Sequence, residues 1–199
     1  WRKALQVGGI ELSVWRIHRR IGMSGGLLAE SLARETGKAL SAAQAAKMKR
    51  AHAKAFAAQL RDVRPLPGAK ELTRHLTKMR VPYAIATSGA LANARPLLKL
   101  IDLPDGVPII TRDDVEHAKP NPDLWLAAAA RLGVLIESAI AVGDSVWDLL
   151  AARRARALGV GVLSGGYGQD ELERAGAYRV YQDPADLLLH IDELGVRAE

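Results

Sequence analysis

Two acids four residues apart, Asp144 and Asp148, follow a short apolar run that ends in Gly143. Ile140-Ala141-Val142 reads as a buried strand and Gly143-Asp144-Ser145 as a turn. Val146 onward, with Leu149, Leu150 and Ala152, reads as the start of a helix. On that reading Asp144 stands at the carboxyl end of a strand and Asp148 one turn into the helix, so both carboxylates can face one small volume. Two anions that close repel each other unless a cation, a proton or hydrogen-bond donors compensate, and oxygen ligands of this kind suit Mg²⁺. The same residues fit a plainer role, in which Asp144 and Ser145 cap the helix and Asp148 is a first-turn acid favoured by the dipole. Taken alone, they leave both readings open.

Two other stretches carry chemistry of a matching kind. Thr87-Ser88-Gly89 falls where an apolar run gives way to a helical pattern, so a hydroxyl and backbone N–H groups point to one place, a usual setting for phosphate. A simple Ser/Thr cap is the alternative. Lys119 lies in Glu116-His117-Ala118-Lys119-Pro120-Asn121-Pro122-Asp123, where two prolines stiffen the chain ahead of a helix. A compact ammonium fixed there can neutralise a phosphoryl oxygen or a carboxylate; the alternative is a solvated loop lysine.

The elements that must position these residues fall into two classes. Up to residue 61 every element reads as a helix: a stretch ending at Gly8-Gly9, then 10 to 21, then a segment resuming at Leu27 and stopping at Gly37. The last is 42 to 61, with Ser41 as its N-cap. Val63-Arg64-Pro65-Leu66-Pro67-Gly68 reads as a hinge. Beyond it helices (69–79, 90–100, 122–132, 146–155, 169–175, 184–191) alternate with short apolar runs (81–87, 107–110, 139–143, 158–163, 178–181). Such alternation marks a parallel α/β sheet covered on both faces, whose chemistry gathers beyond the carboxyl ends of the strands. Thr87, Asp144 and Ser164-Gly165-Gly166 all fall at such ends, and Thr111 to Asp114 follow another. The expected fold is α/β, a Rossmann-like parallel sheet core over 65–199 with an N-terminal helical cap domain over 1–64.

These three motifs, in this order and at these spacings, resemble the haloacid dehalogenase-like hydrolases. The likeness is narrower to members whose helical cap is inserted after the first strand, such as sugar-phosphate phosphatases and phosphoglucomutase-like enzymes. The resemblance implies a Mg²⁺-dependent phosphate monoester hydrolase working through an aspartyl-phosphate, with a phosphomutase or an inactive binding module as alternatives. It implies that Thr87, with the Ser88 and Gly89 backbone, binds the transferring phosphoryl group. Lys119, in a form similar to the family's Lys-Pro-x-Pro-Asp, would neutralise charge, and Asp144 would be the direct metal ligand. Asp148 would be a second ligand, or a partner through water and Lys119. Arg19, Arg20 and Ser24 fall where capped members keep substrate-selecting residues on a lid that closes over the core, Arg20 being the preferred anchor for a distal anion because guanidinium binds phosphate or carboxylate in a two-pronged manner. His18 and His117 are the other ionisable candidates, each more simply read as structural. Ala118 departs from the glycine many relatives have before the lysine.

A larger departure is that the family's Asp-x-Asp-Gly-Thr motif occurs nowhere in the 199 residues. In capped relatives it precedes the position of Gly22 by a few tens of residues, which leads us to expect it ahead of Trp1, on a first strand without which the sheet lacks a central member. The 199 residues alone are then expected to be inactive.

Composition narrows the alternatives. With no cysteine there is no disulfide framework, and a reducing cytoplasm is the expected setting. No apolar run approaches the roughly 20 residues that span a bilayer, and Trp1-Arg2-Lys3-Ala4-Leu5 does not read as a signal peptide. The net charge of +6 is unevenly placed: residues 1–61 hold 12 Lys/Arg against 3 Asp/Glu, and residues 62–199 hold 16 against 19. A basic module beside an acidic one can draw in an anionic substrate, or simply present solvated helix faces. Aromatic residues make up 5% and do not interleave with the basic ones, which argues against a single-strand binding platform. The expected partner is a small phosphorylated metabolite, with no nucleic acid and no membrane, and the expected state is a monomer or homodimer.

Overall fold

The computed structural model describes residues 1–196, which divide into two compact units, one over Trp1–Val63 and a second that begins at Arg64. The first is helical: α1 (Arg2–Val7), α2 (Val14–His18), α3 (Gly25–Glu35) and α4 (Ala42–Ala57). Its core gathers Leu5, Ile10, Ile17, Leu28, Leu32 and Met48. Ser41 begins α4 through a capping box with Gln44, the two orphan N–H groups being satisfied reciprocally. The helix expected over 10–21 is shorter, because Ser13 sits outside it in an extended conformation and its hydroxyl accepts the Arg16 N–H, so that helix begins only at Val14.

The second unit alternates as the sequence pattern requires: α5 (Ala69–Lys78), β1 (Ile85–Ala86), α6 (Leu91–Leu98), β2 (Ile109–Ile110), α7 (Asp123–Leu132), β3 (Ile140–Gly143), α8 (Val146–Ala155), β4 (Leu158–Val162), α9 (Gln169–Ala175), β5 (Ala177–Tyr181) and α10 (Pro184–Leu189). All strand pairs are parallel, and the fold is α/β. Leu149, Leu172 and Ala175 fill one side of the three-stranded sheet; Val160, Val162, Tyr181 and Leu187 fill the other.

The strands form two sheets, not one: β1 pairs with β2, and β3-β4-β5 form a second sheet in that order. Among the described residues no ladder joins β1 to β3. The apolar run 81–87 contributes only two residues to its ladder, starting three positions after Pro82, which has no N–H to donate. Ile140 and Val142, which project from the same face of β3, remain exposed. No described helix is long and apolar enough to cross a membrane.

Candidate active site

Strand β3 delivers Gly143 and Asp144 to its carboxyl end, and Ser145 then starts α8. The Ser145 hydroxyl accepts the Asp148 N–H at 3.3 Å, while the Ser145 N–H donates to Asp148 Oδ2 at 3.1 Å. The same hydroxyl donates to Oδ2 at 2.6 Å. This is a capping box with Asp at its fourth position, so Ser145 and Asp148 do serve the helix start, while Asp144 is not its N-cap. It uses only one carboxylate oxygen. Asp148 Oδ1 receives the Lys119 ammonium at 2.7 Å, with both side chains only 8% exposed. Gly143 allows α8 to come this close, since a Cβ there would lie 2.2 Å from Asp148 Cβ.

Lys119 is brought to Asp148 by a tightly tied turn. The Lys119–Pro120 peptide is cis, the His117 N–H donates to Asp123 Oδ2 at 3.1 Å, and the Arg154 guanidinium donates to the Pro120 carbonyl at 2.8 Å. Besides Asp148, the ammonium donates to the carbonyl of Ala86, the last residue of β1, at 3.2 Å. It also stands 4.5 Å from the centre of the Trp125 ring. One buried cation thus links the strand that ends at Ala86, just before Thr87, to the helix that follows Asp144. Trp125 was not singled out in the sequence; an aromatic six residues after the lysine, in the first turn of the next helix, was the available signal.

Thr87 follows Ala86 directly. Its N–H donates to the Ile110 carbonyl at 2.9 Å, and its hydroxyl accepts the Gly89 N–H at 3.1 Å. The Ser88 hydroxyl is buried without a hydrogen-bond partner. The loop after β2 supports this turn from the side: the Arg112 N–H donates to the Gly89 carbonyl at 3.1 Å, and Asp113 accepts the Leu91 N–H at the head of α6 at 2.9 Å. That buttress, too, went unassigned in the sequence, although Thr111 to Asp114 were noted at a strand end.

Within the same buttress, the hydroxyl and N–H of Thr111 both donate to Asp114 Oδ2, at 2.7 and 2.8 Å, and hold that carboxyl below its ordinary value. The folded protein therefore gives up this proton more readily than the unfolded chain does. The resulting stability is complete above the ordinary carboxylate value of 3.8 and is lost as pH falls through the lower folded value. Asp114→Asn is expected to be less stable than the parent at pH 7, with the gap closing below pH about 4; urea unfolding at the two pH values measures it.

An all-protein cage for a divalent cation needs several carboxylates or imidazoles at one point. Among the described residues no group of three or more His, Asp or Glu side chains gathers at one point, so there is no all-protein cage. Both Asp148 oxygens already accept hydrogen bonds, and Asp144 is the other carboxylate at this strand end. One or two carboxylates completed by water and substrate oxygens is the usual set for Mg²⁺, and the residues fit that mode. Gly165 presses on the same point, since a Cβ there would lie 2.0 Å from the Asp144 carbonyl oxygen.

Arg19, Arg20 and Ser24 lie in the helical unit. The Arg20 Nε donates to Ser31 Oγ at 3.0 Å, and the guanidinium lies 3.5 Å from Glu35, which also pairs with Arg16. Ser24 is buried and caps α3, accepting the Leu27 N–H at 3.4 Å. Arg19 follows α2 as its C-cap, where its own N–H donates to the Trp15 carbonyl at 3.1 Å. His117 Nδ1 stands 3.4 Å from Asp123 Oδ2 and serves the turn before Lys119.

A hydroxyl turn, a buried lysine and a strand-end aspartate on a parallel α/β frame define a class, and the family model of the haloacid dehalogenase-like hydrolases matches residues 3–156. The chain belongs to that family. It is 35% identical over 95 residues to hexitol phosphatase A of Escherichia coli, a match covering 48% of this chain and 44% of that protein. Several curated relatives are matched over about half of their own length. Among solved structures, a hydrolase from Pseudomonas syringae superposes with a TM-score of 0.95 at 50% identity, covering 98% of this chain and 89% of that one. A β-phosphoglucomutase from Clostridium difficile shares the fold at TM-score 0.82 and 20% identity, covering 99% of this chain and 90% of that one.

Proposed function

We propose that this chain forms the phosphoryl-binding part of a Mg²⁺-dependent phosphate monoester hydrolase acting on a small phosphorylated metabolite through an aspartyl-phosphate. The observation that carries the proposal is the Lys119 ammonium, buried between Asp148 Oδ1 and the Ala86 carbonyl, one residue from the Thr87 hydroxyl. A cation there meets the charge of a phosphoryl group, and the Ser88 backbone at the turn supplies an N–H donor; the Gly89 N–H is instead given to the Thr87 hydroxyl and holds it in place. Thr87 orients the group by its hydroxyl. Asp148 keeps the ammonium in place, and Ser145 keeps Asp148 in place. Asp144 would hold Mg²⁺, which when bound supplies neutralisation of negative charge on the transferring oxygens.

The family's attacking carboxylate and general acid belong to an Asp-x-Asp motif that these 199 residues do not contain. The residues present therefore bind, orient and neutralise; they do not form the covalent bond. The phosphatase relatives favour hydrolysis over retention of the phosphoryl group, and Arg20, Arg19 and Ser24 are proposed to act in substrate choice.

The test joins binding to turnover. By calorimetry, the 199-residue chain should bind inorganic phosphate in the presence of Mg²⁺ and release none from a panel of sugar phosphates. The same residues in a polypeptide that carries the attacking carboxylate should release phosphate only with Mg²⁺. Conversion of one sugar phosphate isomer into another without release would make it a mutase. Affinity for nucleic acid that falls steeply with salt and ignores Mg²⁺ would overturn the proposal.

A further inference from the structure

We propose that Trp125 is a positioning residue for the Lys119 ammonium, steadying it by the face of its indole ring between the end of β1 and the start of α8. The inference rests on the reading of Lys119 as a phosphoryl-binding group and adds a residue to it. One side chain touches both members of the buried pair. The ring centre lies 4.5 Å from Lys119 Nζ, and the indole N–H donates to the backbone carbonyl of Asp148 at 3.3 Å. The placement of Trp125 is set by the same turn that delivers the lysine, because its backbone N–H donates to the Pro122 carbonyl at 2.9 Å in the first turn of α7.

A lysine ammonium is a point charge with three N–H donors on a flexible four-carbon stem. Two oxygens, at 2.7 and 3.2 Å, hold it from the Asp148 and Ala86 sides. Two contacts define a line about which the tip can still swing, and a third side is needed to fix it. Another carboxylate on that side would fix the cation but would add a negative charge against an incoming phosphoryl group. An aliphatic chain would exclude water and offer no attraction. The aromatic face attracts the cation through its quadrupole, adds no charge and requires no lone pair. A ring in this position therefore fixes the ammonium while leaving the charge of the cluster unaltered. The indole N–H extends the same support to the backbone of Asp148, so cation and anion are held from one residue.

The experiment is calorimetric titration of the full chain with inorganic phosphate in Mg²⁺ buffer. Trp125→Phe keeps a ring face and loses the N–H; its phosphate affinity should stay within about threefold of the parent. Trp125→Met, similarly apolar but without a ring face, should bind about tenfold more weakly. Site-specific replacement by tryptophans carrying one, two and four ring fluorines nearly preserves size and weakens the quadrupole, so affinity should fall with each step. That series does not depend on the Met variant folding, and packing alone would not produce it. Equal affinities for the Phe and Met variants, or a flat fluorine series, would overturn the role of Trp125. Thr87→Val separates the two levels: if it weakens phosphate binding while the Trp125 series is flat, only this inference fails. If Thr87→Val leaves phosphate affinity unchanged, the phosphoryl-site reading fails, and this inference fails with it.

Discussion

Lys119→Met is expected to lower folding stability by about 3–5 kcal/mol, the cost of leaving a buried carboxylate without its partner. The size follows from the burial of the pair: Asp148 is 8% exposed on its side chain, and its Oδ1 has the ammonium at 2.7 Å. The capping hydrogen bonds from Ser145 remain on Oδ2 and cannot neutralise a full charge. Asp148→Asn in the same chain removes that charge while leaving an oxygen to accept from Ser145. The double variant should therefore recover most of the loss in urea unfolding. Phosphate affinity should not recover with it, because the cation that meets the phosphoryl group is still missing. A double variant that stays as unstable as Lys119→Met would show that the pair is not what holds this part of the fold. One that folds and binds phosphate as the parent does would remove Lys119 from the site.

That pair also shows what was and was not readable along the chain. The helix start at Ser145 and the strand before it are local features, fixed by a glycine turn, a capping side chain and an apolar run within nine residues, and they were legible. So was the lysine stiffened by the two prolines that follow it. Whether Asp148 served a cap or a site was undecided, because a capping box and an ion pair use the same residue type. In the structure one Asp148 oxygen serves the cap and the other meets the Lys119 ammonium. The two-sheet arrangement is a matter of which strand edges pair, and hydrophobic periodicity carries no information on that. The helix over 10–21 was overdrawn because Leu12 and Trp15 keep helical spacing across Ser13, whose own hydroxyl ends the pattern. Arg20 stood out as a candidate anchor for an anion; its tie to Ser31 and Glu35, on a different helix, was not legible. Trp125 and Arg112 reach the site through contacts that no local spacing encodes.

Gly165→Ala is the second large effect, and it arises from such a contact. Ser164-Gly165-Gly166 is visible in the sequence only as a turn at the end of β4, yet the Gly165 backbone lies against Asp144. An added Cβ would stand 2.0 Å from the Asp144 carbonyl oxygen and 2.8 Å from its Cγ. The obstruction is backbone as well as side chain, so no rotamer change relieves it. Opening the oxygen contact beyond 3.0 Å, the limit below which real Cβ contacts essentially do not occur, moves Asp144 or the loop by about 1 Å. A shift of that size at a carboxylate that must meet a metal and a phosphoryl group together costs about 100-fold in rate where turnover occurs. Overpacking adds about 1–3 kcal/mol of lost stability. Gly106→Ala is the matching control, because a Cβ there meets nothing within 4 Å; the positive φ at that position carries its own strain, so the control reports backbone strain without a clash. Mg²⁺ affinity should drop for Gly165→Ala and hold for Gly106→Ala. Unchanged Mg²⁺ affinity in Gly165→Ala would mean that Asp144 is not the carboxylate that holds the ion, and the metal would have to be sought elsewhere in the unit.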